Sequence, residues 1–263
     1  ALVDLGLDIT IFTNILEYDR EGRRIFENVI KNAGLRYTGR SIAVPFYGES
    51  KDDLYRFNTG YIYNTMLGGK VKTFALHNSR YCNVLYGGLT AEDLARRYRY
   101  FSLGALEAIR TMNIHPTVLQ TNEGATGFVI PYLTMPEYGY LANDPHFKGL
   151  KTMLHVNHNL DRNYHNIITG SNNLDKDHLM RVAGLYPENM DHRLMITAES
   201  DSLEINPTYA ANNRATDSAT VAPGYRDYTA DNSRGRGLGD VLSYKREAGR
   251  YFGIQNGIDT VSW

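Results

Sequence analysis

Two short polar segments contain the residue types best suited to chemistry, Asn122-Glu123-Gly124 and Asn157-His158-Asn159. A carboxylate and an imidazole that face one cleft can together transfer protons and stabilise charge, which makes Glu123 and His158 candidate catalytic residues. Gly124 would allow backbone amides to approach a ligand at the start of a helix. The alternative is that both segments are ordinary polar surface loops, because catalytic groups are a minority of such residues.

The elements that position these segments are predicted strands. Residues 117–120 and 152–156 are short apolar and β-branched runs, and each ends where a polar segment begins. In an open parallel sheet, ligands bind outside the carboxyl ends of the strands. The two segments therefore form one site if their strands are neighbours.

The rest of the chain alternates predicted strands and helices. The clearest helix begins at Thr90, with Asp93 in the capping-box position, and its apolar stripe runs to about Asn113. A turn at Gly68-Gly69 predicts a hairpin of residues 55–66 and 70–76. We interpret 212–239, which is rich in Asn, Arg, Gly and Asp, as a long mobile loop. This order predicts an α/β fold, Rossmann-like, with a mostly parallel sheet and helices on both faces.

Two other groups of residues contain types that could bind a ligand. His155, His158, His165 and Asp161 are ligand types that suit zinc, but a strand and a loop do not guarantee that they share one face, so we expect no metal. Gly235-Arg236-Gly237-Leu238-Gly239 has the wrong spacing for a dinucleotide fingerprint.

Composition bounds the function. The 263 residues include 28 Lys+Arg and 29 Asp+Glu, a net charge of −1 that excludes binding through bulk charge, and we expect no nucleic-acid partner. No apolar run approaches the ~18 residues of a membrane span. Cys82 is the only cysteine, and no secretory signal is evident, so we expect a cytoplasmic protein without a membrane partner. Tyr supplies 20 residues against 9 Phe and 1 Trp, which suits half-wet surfaces such as those that bind sugars.

Four segments in a common order resemble the N-terminal domain of the bacterial glycogen synthase and plant starch synthase family, glycosyltransferase family 5 with the two-domain GT-B fold. Val156-Asn157-His158-Asn159-Leu160 resembles the family's Thr-Val/Ile-His-Asn-Leu loop, and Asn206-Pro207-Thr208-Tyr209-Ala210 its Ser-Pro-Thr-Tyr-Ala. The others are Tyr86-Gly87-Gly88-Leu89 with the helix after it, and residues 253–259, similar to Gly-Ile-Leu-Asn-Gly-Ile-Asp. The resemblance covers nearly the whole chain, so we assign 1–263 to one acceptor-side domain.

The resemblance implies retaining transfer of glucose from a nucleotide-diphosphate glucose, ADP-glucose or UDP-glucose, to an α-1,4-glucan acceptor. In the family the His-Asn loop lies against the donor glucose, which corresponds to His158 and Asn159. Asn122, Gly124 and Tyr209 are then further candidate substrate-binding residues. Enzymes of this type usually need no metal, and we expect no cofactor.

The chain also departs from the family. Where members have His-Asp-Trp-His-x-Gly-Leu, this chain has residues 122–128. Glu123 keeps the negative charge of the family's aspartate, whereas Gly124 and Ala125 replace a tryptophan and a histidine and so remove an aromatic and an imidazole side chain from the pocket. It begins after the family's first strand and Lys-x-Gly-Gly-Leu loop, and we expect the nucleotide-binding C-terminal domain to be missing or supplied by a partner chain. The isolated chain is then expected to be inactive. Because a missing first strand leaves backbone unpaired, we predict a strand supplied from elsewhere or a sheet that re-pairs around the gap.

Two other functions remain open at this stage. One is a non-catalytic glucan-binding or assembly module that keeps the fold and has lost the site. The other is a phosphorylase-like glucan enzyme, since residues 122–128 are also similar to a stretch of glucan phosphorylases.

Overall fold

The computed structural model describes residues 3–46, 56–83, 89–135, 141–169, 176–185, 204–231 and 233–255. These residues form two compact units. The first contains the described residues up to Ile114 together with Val182–Gly184, and the second contains the described residues of His115–Arg181 and those from Leu185 onward. Residues 86–88 of the Tyr-Gly segment lie outside the described residues. The assignment of 1–263 to one domain stays a prediction.

The first unit has a four-stranded mixed sheet in the order β1-β4-β3-β2. In this sheet β1 and β4 run parallel, whereas the other two pairs of neighbouring strands are antiparallel. The tight Gly68-Gly69 turn joins β3 to β4, and this confirms the predicted hairpin. Its elements are β1 (Thr10–Asn14), α1 (Phe26–Asn32), β2 (Arg36–Phe46), β3 (Arg56–Leu67), β4 (Val71–His77) and α2 (Ala91–Thr111).

The helix α2 is the longest in the described chain and confirms the predicted start. The Thr90 hydroxyl accepts a hydrogen bond from the Asp93 amide, which satisfies one of the free N–H groups at the helix start. One face packs against β2, and its buried residues include Leu103, Leu106 and Ile109. Periodicity and cap together therefore located this element closely.

The second unit has an all-parallel sheet in the order β10-β9-β6-β5. Ser218, Ala219 and Thr220 in β9 are all buried, so both faces of this strand are covered. Its elements are β5 (Val118–Asn122), α3 (Val129–Thr134), β6 (Thr152–Asn157), β7 (Ile168–Thr169), α4 (Lys176–Val182, whose last residue belongs to the first unit), β8 (Glu204–Ile205), α5 (Pro207–Arg214), β9 (Asp217–Thr220), α6 (Pro223–Thr229), α7 (Gly239–Glu247) and β10 (Tyr251–Gly253). The short strands β7 and β8 form a separate antiparallel pair.

The prediction of a long mobile loop at 212–239 is wrong. The segment contains β9, in the interior of the sheet, and the helix α6. Its low hydrophobicity was misleading because small side chains, Ser218, Ala219 and Thr220, suffice for a strand that is covered closely on both faces.

The α/β class and the parallel sheet are confirmed, but the described strands form two four-stranded sheets and one two-stranded sheet rather than a single sheet. Within these sheets β1 has one neighbour, β4, and β5 has one neighbour, β6. Among the described residues no strand pairs with the second edge of either, so a strand supplied from elsewhere stays a prediction. None of the described helices combines the length and apolar character needed to cross a membrane.

Candidate functional site

The two polar segments meet at one edge of the second sheet. The strands β5 and β6 pair in parallel, with Asn122 opposite Val156, so both segments leave the sheet at its carboxyl edge. The prediction that these strands are neighbours is confirmed. The candidate site is therefore a single cluster built from the ends of β5 and β6.

Glu123 holds the two segments together. Its Oε1 accepts hydrogen bonds from the backbone amides of His158, at 2.7 Å, and Asn159, at 3.3 Å. Burial raises the pKa of the Glu123 carboxyl above its usual range, and the bond from the His158 amide partly opposes this. The carboxylate thus acts first on the backbone of the histidine loop.

The backbone of Glu123 is in a conformation that residues other than glycine rarely adopt. Its φ is 59° and its ψ is 169°. Such a conformation costs about 1–3 kcal/mol and persists only where the surroundings impose it. The surroundings that hold it include the two amide bonds to the carboxylate and the bond from the Glu123 amide to the Val156 carbonyl at 3.1 Å.

His158 is exposed, and its ring reaches back to β5. Its Nε2 lies 3.3 Å from Asn122 Oδ1, which also accepts from Gln120 Nε2 at 3.3 Å. The amide oxygen of Asn122 is therefore an acceptor, and His158 donates from Nε2. When the ring is neutral, Nδ1 is its acceptor nitrogen. Asn159 is half-buried, and its Oδ1 accepts from the Asp161 amide at 2.8 Å.

Gly124 is a close-packing position. A Cβ there would lie 2.2 Å from the His165 carbonyl oxygen and 2.7 Å from Thr208 Oγ1. Thr208 Oγ1 also donates to the same carbonyl at 3.0 Å. The glycine therefore allows α5 and the segment around His165 to pack directly beneath the site. Gly124 is buried, and a substrate-binding role for it stays a prediction.

Tyr209 lies in the interior of the unit. It is 7% exposed, in a cluster with Leu160, Leu238, Leu242 and others, and its hydroxyl donates to Asp240 at 3.2 Å. A substrate-binding role for Tyr209 stays a prediction, and the structure adds a packing role.

The four candidate zinc ligands have separate partners. His155 is fully buried and its Nδ1 lies 2.8 Å from Thr121 Oγ1, while His165 contacts Leu160 O and the Asn206 side chain. Burial lowers the pKa of His155 to about 3 and that of His165 to about 4. Across the part of the chain that the structure describes, no group of three or more His, Cys, Asp or Glu side chains could hold a metal ion.

Residues 1–244 match the family described as the starch synthase catalytic domain. The chain belongs to this family. Among curated relatives, the glycogen synthase of Clostridioides difficile is 30% identical over 167 residues, which cover 64% of this chain and 31% of the relative. That of Streptococcus mutans is 27% identical over 236 residues, or 84% and 45%. The chain thus spans less than half the length of these relatives.

The solved catalytic domain of starch synthase IV from Arabidopsis thaliana, bound to ADP and acarbose, is similar in fold. It aligns with a TM-score of 0.65 and 20% identity over 96% of this chain and 52% of that one. The expected fold, one half of a starch synthase catalytic domain, is confirmed by this likeness.

Sequence reasoning missed Tyr225. The Pro-x-Tyr spacing of the starch synthase segment Ser-Pro-Thr-Tyr-Ala occurs four times in this chain, and two of the copies begin described helices of the second unit, Pro207–Tyr209 and Pro223–Tyr225. The first copy was singled out because more of its letters match. Only the second follows a strand of the parallel sheet, β9, and its tyrosine hydroxyl accepts from the Leu160 amide at 2.8 Å. A strand prediction at 217–220 would have directed attention to it.

Proposed function

We propose that this chain is the acceptor-side part of a retaining glucosyltransferase, which transfers glucose from ADP-glucose or UDP-glucose to an α-1,4-glucan. The observation that carries the proposal is the attachment of the His158-Asn159 loop to the Glu123 carboxylate at the carboxyl edge of a parallel sheet, in a chain of the starch synthase family. Ligands in such sheets bind at this edge.

His158 and Glu123 have different roles in this proposal. His158, exposed and oriented through Asn122, faces the donor glucose, where a fixed hydrogen-bonding group stabilises charge as the bond to the diphosphate breaks. Glu123 acts through the loop amides and keeps His158 and Asn159 in place. A second, nucleotide-binding domain completes the site in this proposal, and neither a metal nor a cofactor takes part.

The test is glucose incorporation into glycogen from ADP-glucose and from UDP-glucose, with the longest natural protein that contains this chain. His158→Ala should lower transfer by about 100-fold or more, as expected for loss of a group acting on the reacting centre. His115→Ala is the matched control, because His115 is an exposed histidine just before the opposite, amino end of β5. Full activity in His158→Ala refutes the role assigned to this residue.

A non-catalytic glucan-binding module is the second candidate. It is favoured by one observation, that the Glu123 oxygen nearest the loop is already bonded to two backbone amides. Retention by glycogen in affinity electrophoresis, with no transfer from either sugar nucleotide, would support this candidate over the enzyme.

A further inference from the structure

The loop that carries His158 and Asn159 is held by side chains at every amide. Glu123 accepts from the first two amides, Tyr225 from that of Leu160, and the Asn159 side chain from that of Asp161. A loop whose amides are all bonded to side chains has little freedom to change shape while those bonds last. Its conformation therefore depends on residues outside it.

Tyr225 reaches this loop from an element next to it in the sheet. It lies on α6, directly after β9, and β9 pairs with β6 so that Thr220 is opposite Asn157. The Thr220 hydroxyl donates to the Asn157 carbonyl at 2.8 Å, which ties the two strand ends together. The helix that carries Tyr225 thus begins within three residues of a direct contact to the loop.

Both backbone polar groups of Leu160, the amide and the carbonyl, are hydrogen-bonded to side chains. The Leu160 amide donates to the Tyr225 hydroxyl, and the Leu160 carbonyl accepts from His165 Nε2 at 3.3 Å. The Leu160 side chain is 1% exposed, so the residue is an anchor at one end of the loop. Glu123 is the anchor at the other end, and His158 and Asn159 lie between them.

We propose that Tyr225 is a positioning residue, which holds the His158-Asn159 loop in its working conformation through the hydrogen bond to the Leu160 amide. Its effect on glucosyl transfer rests on the proposed function, whereas its effect on the loop does not. The role goes beyond the sequence-predicted residues, and the ring of Tyr225 is itself oriented by stacking against Tyr228, with centroids 6.4 Å apart and an interplanar angle of 12°.

The experiment compares Tyr225→Phe with Tyr228→Phe, a matched tyrosine on the same helix that is exposed. Hydrogen exchange of the amides of residues 158–161 should become about 3- to 10-fold faster in Tyr225→Phe, the effect of losing one hydrogen bond, and stay at the wild-type rate in Tyr228→Phe. In the transfer assay, Tyr225→Phe should lower kcat by roughly the same factor with KM within about twofold, since the bond orients the loop rather than binding glucan.

The outcomes separate this inference from the proposed function. Unchanged exchange at 158–161 in Tyr225→Phe overturns the inference, and so does an equal rise over the whole second unit, which would indicate a general loss of stability. If Tyr225→Phe shows faster exchange confined to the loop while the wild-type protein transfers no glucose, the inference is supported and the proposed function is refuted. Loop-confined exchange together with an unchanged kcat overturns the catalytic part of the inference.

Discussion

Two segments in the described part of the second unit share the Pro-x-Tyr spacing and begin a helix just after a strand, yet their surroundings differ. Pro207–Tyr209 starts α5, with Asn206 capping the helix and all four residues buried. Pro223–Tyr225 starts α6, where Ala222 gives no side-chain cap and Pro223 is exposed. The first segment is a packing junction, and the second reaches across to the histidine loop.

The difference shows that the spacing determines a helix start and little else. Proline is favoured in the first turn of a helix in both places. What each tyrosine contacts is decided by the strand that precedes it and by the elements packed around it. The comparison can be tested at positions where the packing or the helix cap differs between the two segments.

The largest effect is expected from filling the junction at Gly127. A Cβ there would lie 2.4 Å from the Pro207 carbonyl oxygen and 2.5 Å from its carbon, and these are backbone atoms that cannot move aside. Gly127→Ala should lower the free energy of unfolding by about 3 kcal/mol or more. Gly224→Ala, in the second segment, is the control, because no atom lies within 4 Å of a Cβ there. It should change stability by less than about 0.5 kcal/mol. Urea unfolding followed by circular dichroism measures both, and equal losses would remove the contrast between the segments.

A slightly smaller loss of folding stability is expected when the pH is lowered. His165 contacts the first segment, since its Nδ1 lies 3.3 Å from Asn206 Nδ2, and burial lowers its pKa from 6.5 to about 4. Between these values the unfolded chain binds a proton that the folded chain does not, so stability is present above pH 6.5 and is lost as the pH falls to 4. The loss is about 3 kcal/mol, at about 1.4 kcal/mol for each pKa unit.

The measurement is the free energy of unfolding at pH 6.5 and at pH 4, in wild type and in His165→Gln. His155 is also buried with a lowered pKa and contributes in the same direction, so only the difference between the two proteins reports on His165. The variant should lose about 3 kcal/mol less than wild type over this range. A wild-type slope in His165→Gln would mean that the junction does not depend on a neutral His165.

Local patterns in the sequence predicted the elements whose signals are local. The Thr90 cap and the apolar stripe located α2, and the Gly68-Gly69 turn located the β3-β4 hairpin, because each depends on residues near in the chain. The strand β9 was missed because its place in the sheet depends on β6 and β10, which lie about 60 and 30 residues away along the chain.

The candidate site was predicted in the same uneven way. That Glu123 and His158 lie together followed from strand ends and topology. The strained φ of Glu123, its bond to the loop amides and the contact from Tyr225 depend on where the two loops turn after leaving the sheet. No spacing in the sequence encodes those contacts, so they could not be predicted.

The smallest expected effect comes from giving the second segment the cap that the first has. Asn206 Oδ1 accepts from the Tyr209 amide at 3.0 Å, whereas Ala222, with an extended backbone at φ −160° and ψ 149°, has no side chain to do so. Ala222→Ser should therefore raise the free energy of unfolding by about 0.5–1 kcal/mol, since a serine at this position can accept from the amides of the first turn. Asn206→Ala is the matched opposite and should cost about 1–2 kcal/mol, because it removes a cap and a buried contact to His165. If Ala222→Ser gave no gain, the start of α6 would be held by its neighbours rather than by its own backbone. The second segment would then be as much a packing junction as the first.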